Sequence, residues 1–582
     1  MHVNVAATSF LLSALAFPAV ANAQLPPGVT LQPIDGGANY YTTNGFTYAA
    51  APNFTWTTTA ATITGLGWDD PRWFPIGPWQ GYLLTSADST RWAQLGWNTA
   101  WVPTGNSLQS VAGPAGIAVV QSYEILGGTA LPEASISGTT LTLGSSATLT
   151  TGEAIYGQTV AAGTTIETGG TGTTFTVNTS QTVATTVLYA GGSQIGPAWT
   201  PGTETVGLQT YDEPEYFSQG VYTPLNITAN TLQNNRFWWL NNTWNWVAFA
   251  GTPGLGLNCT GIAPSYGPCP SPNDAFTNLS YLVPTPNATT RHVDVGTLDA
   301  YWFAGSNSAA LTYQAAVIYN TNGNGSGTPN ATADQTRRGF LYGDMIDAQR
   351  TYQAGQYPAP IWGIVENGGP YSQDMQLSYY IQPPELNWAV WQSIIHGARG
   401  IVYFNYTPAG PYQADDNMAD GWNAGTAYSA VWPGQTVSMF AQTQATDALV
   451  QQLAPVINSS TALGYVTVSP ASGEIQPLPP SDMGTLAFSG IDVMAKYYTG
   501  APITVDGVKT GSGFYIFAST RNSENDTDIS ATFTVVGPAV TKVTVVGENR
   551  TVRVSGNVFT DVFANAWTVH IYHPSGFSIV QQ

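Results

Sequence analysis

The run VGLQTYDEPEYF brings Asp212, Glu213 and Glu215 together, and GIVENGG sets Glu366 at the end of a second apolar run. Only 8% of the 582 residues are charged, so carboxylates placed at the ends of apolar runs stand out. Two carboxyl groups held across from one another can break a glycosidic bond. One gives its proton to the leaving oxygen, while the other attacks the anomeric carbon or activates water. Like-charge repulsion from Asp212 would favour the protonated form of Glu213, as an acid needs. Plainer readings compete at each position. Asp212 or Glu215 could cap a following helix. Glu366 precedes Asn367-Gly368-Gly369, a turn signal, and could be a solvated turn residue.

The elements that would position these groups are short apolar runs alternating with helical patterns. Eight runs read as strands: WFPIGPW (73–79), NTAWVP (98–103), GIAVVQSY (116–123), ETVGLQTY (204–211), RFWWLNNTWNW (236–246), HVDVGTLDAYWF (292–303), APIWGIVE (359–366) and GIVYFNY (400–406). SADSTRWAQLG, ADQTRRGFLYGDMIDAQRTYQ, PPELNWAVWQSIIHGA and VSMFAQTQATDALVQQLAPVI read as helices. Strands alternating with helices imply a parallel sheet, and eight such units imply a (β/α)8 barrel over 67–133 and 194–457; an open doubly wound sheet is the alternative. In a barrel, Glu213 would end the fourth strand and Glu366 the seventh, so both would face one mouth. Residues 134–193 are almost all Thr, Gly, Ala, Ser and Val and read as a small all-β insertion. Residues 24–66 read as edge strands. From 461 to 582, β runs with turn residues read as a C-terminal β-sandwich. The fold expected is α/β: a (β/α)8 TIM barrel with a C-terminal β-sandwich and the insertion.

Composition narrows the partners. Acids outnumber bases 34 to 14, which argues against nucleic acid or anionic lipid. So few titrating groups would keep the charge pattern steady in acid, which fits an acidic habitat. Residues 1–23 read as a secretory signal, with an apolar core from Ala6 to Val20 and the small-x-small end Ala21-Asn22-Ala23. A secreted chain with no membrane span is therefore expected. In that setting Cys259 and Cys269 are expected to form a disulfide. No metal or cofactor is expected, because two thiols and scattered histidines make no ligand cluster. Calcium at Asp415, Asp416, Asn417 and Asp420 is a weak option beside a polar loop or lid. His396, in a helical run, reads as a packed or capping residue. Aromatic rings stack on apolar sugar faces, which makes Trp79, Trp101, Trp302 and Trp422 candidate substrate contacts, against ordinary core roles.

Asp212-Glu213-Pro214, Glu366, DVGTLDAYWF and NWAVWQSIIHGARGIVYFNY fall in the order seen in clan A of the glycoside hydrolases, and the span 67–457 without its insertion resembles that clan. The resemblance implies a retaining mechanism with Glu213 as acid/base and Glu366 as nucleophile. It also implies that Asp299 and Tyr301, in the Asp-x-Tyr of the sixth strand, contact the substrate or the nucleophile, with Tyr301 orienting Glu366. The clan's Asn before the acid/base is Asp212 here, which can accept a sugar hydrogen bond but not donate one. Two other functions stay open. A substrate-assisted hexosaminidase would use Asp212 to orient an acetamido group and Glu213 as acid. A non-catalytic carbohydrate-binding or cell-surface protein would use neither.

Overall fold

A computed structural model of the protein describes residues 25–32, 42–43, 46–47, 72–79, 86–102, 112, 115–122, 129–156, 160–161, 163–191, 205–212, 237–243, 295–299, 302–303, 337–353, 360–367, 381–404, 437–472 and 489–576. Eight strands form one parallel sheet: β1 (Ile76–Pro78), β2 (Thr99–Val102), β3 (Ala118–Ser122), β4 (Thr205–Asp212), β5 (Phe237–Thr243), β6 (Val295–Asp299), β7 (Ile361–Glu366) and β8 (Ile401–Phe404). Seven fall within one of the eight runs picked from the sequence, and β4 runs one residue past its run, to Asp212. From β2 to β8 each strand pairs with its neighbour in chain order, and β8 pairs back onto β1.

The full barrel ladder is met only in part. β1 and β2 share no ladder and meet at a single bridge, Trp79 to Trp101. At Asn98 a backbone bond, from its N–H to the Ile76 carbonyl at 2.9 Å, is joined by bonds of its side chain. Its Oδ1 accepts from the Ile76 N–H at 2.9 Å, and its Nδ2 donates to the Phe74 carbonyl at 2.9 Å. Gly77 permits this close approach, since a Cβ there would stand 1.6 Å from the Thr99 carbonyl oxygen. Helices among the described residues follow β1, β6, β7 and β8: α1 (Ser86–Leu95), α2 (Phe340–Gln353), α3 (Pro383–Ile395) and α4 (Met439–Ile457).

Local sequence explains the helix starts. α3 opens on two prolines, whose missing N–H groups cost nothing in a first turn, and the Glu385 carboxylate accepts from the Gln382 N–H at 2.5 Å. α4 is capped by Ser438, whose hydroxyl accepts from the Ala441 N–H at 3.0 Å. Strand alternation then sorts the side chains. Ile76, Ala100, Val119, Leu240, Ile361 and Val365 join a buried cluster with Trp388, Trp391 and Leu453 of the helices. The alternate residues turn to the inner face and touch one another. Trp101 meets Trp362 at 5.1 Å and Trp239 at 6.5 Å between ring centres, and Trp79 lies 5.5 Å from both Trp239 and Phe404.

The insertion is β structure, as its composition implies, but it begins at Thr129 rather than 134. Thr129–Leu149 and Gly170–Ala190 form one long antiparallel hairpin with its own small core, including Ile136, Leu141, Phe175 and Val183. Among the described residues the C-terminal region builds a seven-stranded sheet, a four-stranded sheet and a small two-stranded ladder, Ile503–Val505 with Val508–Thr510. Thr30–Gln32 pairs antiparallel with Ser460–Leu463 and supplies an edge of the larger sheet. These sheets are welded to the helices. Trp391 stacks on Phe517 at 6.0 Å, and the Trp388 indole and the Gln392 amide both donate to the Thr520 carbonyl at 2.9 Å. Among the described residues no helix is long and apolar enough to cross a membrane.

Candidate active site

Glu366 ends β7 on the inner face and has no exposed surface. A carboxylate buried this fully must be hydrogen-bonded or it would be very costly. Its Oε1 accepts from the Phe303 backbone N–H at 2.7 Å and from the Tyr342 hydroxyl at 2.5 Å. Tyr342 lies in the first turn of α2, and its ring stacks on Phe303 at 6.2 Å and 15°. Burial, then the charge and hydrogen bond of Glu366, push the Tyr342 phenol well above its ordinary range. Tyr342 therefore stays a neutral donor. The pair of donors fixes the plane of the carboxylate without cancelling its charge.

The neighbouring strands carry buried amides. Asn241 of β5 is fully buried and accepts from the Thr297 hydroxyl of β6 at 3.0 Å. Gln209 of β4 is buried as well. The Asp212 backbone, at the end of β4, pairs with Asn241, which brings the start of the Asp-Glu-Pro run beside β5 at the strand ends. Glu213 itself lies outside the described residues, as do Glu215, Tyr301, Trp422, Cys259, Cys269 and the Asp415–Asp420 loop. Asp299 closes β6. Trp79 and Trp101 sit in the inner aromatic group. Trp302 does not: it is buried in the outer cluster with the helices, a packing position reached because it follows the strand end by three residues.

The hydroxyl seen on Glu366 comes from Tyr342, a residue that sequence reading left unmarked because it lies inside a helical pattern. Replacing it tests whether it positions the carboxylate. Tyr342→Phe is expected to lower kcat by about 10- to 100-fold with KM little changed, since a charge-assisted hydrogen bond is lost. Losing a donor to the charged form must raise the carboxyl pKa, so the acid limb of the pH–rate profile should move to higher pH. A lower melting temperature with an unmoved acid limb would reduce Tyr342 to a packing role.

A second buried group of charges joins α2 and α3 to the sandwich. Arg521 donates to both oxygens of Asp344, at 2.9 and 2.7 Å, and to Asp492 at 3.2 Å, with Phe340 4.0 Å below its guanidinium. His396 Nδ1 lies 2.5 Å from Asp347 and its Nε2 3.4 Å from Asp492. Asp344, Asp347 and His396 bring ligand atoms within 4.8 Å of one another. Because Arg521 engages Asp344 through both oxygens, the group is an ion-pair network. His396 is the packed C-cap residue its helical setting implies.

No protein-family model matches the sequence, and no curated protein matches it. Among solved structures the chain is similar to a bifunctional glucanase-xylanase from a metagenome library, at 11% identity, covering 94% of this chain and 99% of that one, with a TM-score of 0.40. It is also similar to a glycoside hydrolase family 5 structure from Bacteroides vulgatus, at 8% identity, covering 88% and 90%, with a TM-score of 0.41. An alpha-amylase from Geobacillus thermoleovorans is similar at 9% identity over 86% and 96%, with a TM-score of 0.35.

Proposed function

We propose that the protein is a secreted glycoside hydrolase that cleaves polysaccharide or oligosaccharide with retention of configuration. Glu366 is the nucleophile and Glu213 the acid/base. The observation that carries this reading is Glu366: a fully buried carboxylate at the C-terminal end of a parallel strand, held at one oxygen by a neutral phenol and a backbone amide. A group whose only task was to end a turn would be solvated instead. In the reaction, Glu213 protonates the glycosidic oxygen as Glu366 attacks the anomeric carbon. Water then displaces the sugar from Glu366, with Glu213 now taking the proton. In this reading Asp212 and Asp299, at the ends of β4 and β6, and Tyr301 contact the sugar. Trp79, Trp101 and Trp422 remain the candidate aromatic contacts, and Trp79 and Trp101 belong to the inner aromatic group. Cys259 and Cys269 form a disulfide in the exported chain.

The test is release of reducing sugar from soluble glucans, xylan, mannan and chitosan, alongside aryl glycosides of both anomeric configurations. Hydrolysis of at least one is expected. Binding without product from any of them would favour a carbohydrate-binding protein.

A further inference from the structure

The first turn of α2 reads Phe340-Leu341-Tyr342-Gly343-Asp344. The residue that bonds Glu366 is therefore followed at once by a glycine, and then by the carboxylate that Arg521 grips. Gly343 lies against the ring of His396, at the end of α3. A Cβ at Gly343 would stand 2.4 Å from the His396 Cδ2 and 2.7 Å from its Cγ. Ordinary contact begins at 3.4 Å, so a single methyl group would force ring and helix about 1 Å apart. The ring is pinned. It is buried, with its Nδ1 2.5 Å from Asp347 of α2 and its Nε2 3.4 Å from Asp492 of the sandwich. Its own backbone N–H donates to the Gln392 carbonyl at 3.0 Å. Asp492 is held in turn by Arg521 at 3.2 Å. An interior packed this closely passes a displacement on.

We infer that His396 is a positioning residue for Glu366: its ring is the stop against which the first turn of α2 seats, and this seating sets how the Tyr342 hydroxyl meets the carboxylate. The inference rests on the glycosidase reading of Glu366. The ring acts in two ways. Asp347, one turn further along α2 than Gly343, draws the helix onto the imidazole. Gly343 lets it come in until backbone meets ring. Tyr342 is the next residue, so a shift at Gly343 must move it. Its bond to Glu366 is short, at 2.5 Å, and a hydrogen bond weakens steeply as its geometry is spoiled. Displacements of about 1 Å that begin away from the reacting atoms can cost about 100-fold in rate. The loss here should be smaller, because the Phe303 N–H still holds the same oxygen at 2.7 Å.

Gly343→Ala tests this when it is made both in the wild type and in Tyr342→Phe, with rates taken below the melting temperature of every variant. The substrate is the aryl glycoside that the wild type cleaves best. With the phenol present, the added methyl group should lower kcat by about 10-fold and leave KM within about twofold. In Tyr342→Phe the same methyl group should change kcat by less than about twofold, since no hydroxyl remains to be displaced. A contact that served the fold alone would give equal factors in the two backgrounds. His396→Ala supplies a second route. Removing the ring takes away the stop, so kcat should fall in the wild type and hardly change in Tyr342→Phe; this comparison decides the matter if Gly343→Ala does not fold. Three results would overturn the inference alone: equal losses with and without the phenol, a folded Gly343→Ala with the kcat of the wild type, or failure of both single variants to fold, which would make the contact a condition of folding only. A wild type that hydrolyses no substrate in the panel would instead sink the glycosidase reading itself, and the inference with it.

Discussion

Glu366→Ala is expected to abolish hydrolysis, and sodium azide to restore part of it. Without the carboxylate no glycosyl-enzyme can form, and the loss in kcat should be about a thousandfold or more. The variant leaves a space on the face of the sugar opposite Glu213. Azide is small, needs no deprotonation, and can enter that space to attack the anomeric carbon. It gives a glycosyl azide of inverted configuration, whereas the wild type gives a retained product. Glu213→Ala should behave differently. Substrates with poor leaving groups should lose most activity, while activated aryl glycosides, which leave without a proton, should lose less in the first step. Azide should then yield a retained glycosyl azide, by attacking the glycosyl-enzyme. If Glu366→Ala keeps near-normal activity while Asp212→Ala abolishes it, Asp212 and an acetamido group of the substrate carry the chemistry in place of Glu366.

The second large effect is on stability. Arg521→Met is expected to cost about 3–5 kcal/mol, because it strands Asp344 and Asp492 as buried carboxylates facing an apolar side chain. The same change should loosen α2, which carries Asp344 on one face and Tyr342 on the other, so activity should fall below what unfolding alone explains. Replacing Arg521, Asp344 and Asp492 together by apolar residues of similar volume should recover much of the loss, since no charge is then left unpaired. Acid should reveal the same network in the wild type. Burial pushes the Asp492 carboxyl up, but the charges and hydrogen bonds of Arg521 and His396 outweigh this and bring it down to about 2. A carboxyl depressed by folding contributes stability above its unfolded value, near 4, and that contribution is lost as pH falls from there through about 2. Urea midpoints should therefore hold from neutral pH to about pH 4 as far as this group is concerned, and drop below it. In Arg521→Met this acid-linked drop should shrink or reverse, because the buried carboxyls lose the charge that holds them low and their folded value rises towards or above the unfolded one. A midpoint in the variant equal to that of the wild type would refute the role given to the network.

What the sequence made legible follows from which forces act locally. The strand GIVYFNY is apolar at successive positions because Ile401–Phe404 is buried on both faces. The α3 start is visible because its prolines and Glu385 act within one turn. Glu366 could be marked because strand ends of parallel sheets carry chemistry. Tyr342 could not, since nothing in a helical pattern says which residue will reach another strand's carboxylate. Nor could the seam at Asn98, where a side chain supplements a single backbone bond, or the pairing of Arg521 with Asp344. Both depend on contacts between segments far apart in the chain. The insertion was recognisable by composition, but its first residues were missed because Leu131-Pro132-Glu133 departs from the Thr/Gly/Ala/Ser/Val texture, although Gly127-Gly128 marks a turn just before Thr129. Trp302 shows the opposite error: a tryptophan near a strand end looks like a sugar contact until packing places it in the outer core.

The central claim is that Glu366 becomes covalently bonded to the sugar. The most direct test uses a 2-deoxy-2-fluoro glycoside with a good leaving group, matched to the sugar that the protein cleaves best. Fluorine slows both steps by destabilising the oxocarbenium-like transition state, and the good leaving group lets the intermediate build up. Mass spectrometry of the protein should show one added fluorosugar, and proteolytic peptides should place it on Glu366. An adduct on any other carboxylate, or steady turnover of the unfluorinated substrate with no adduct at all, would contradict the account.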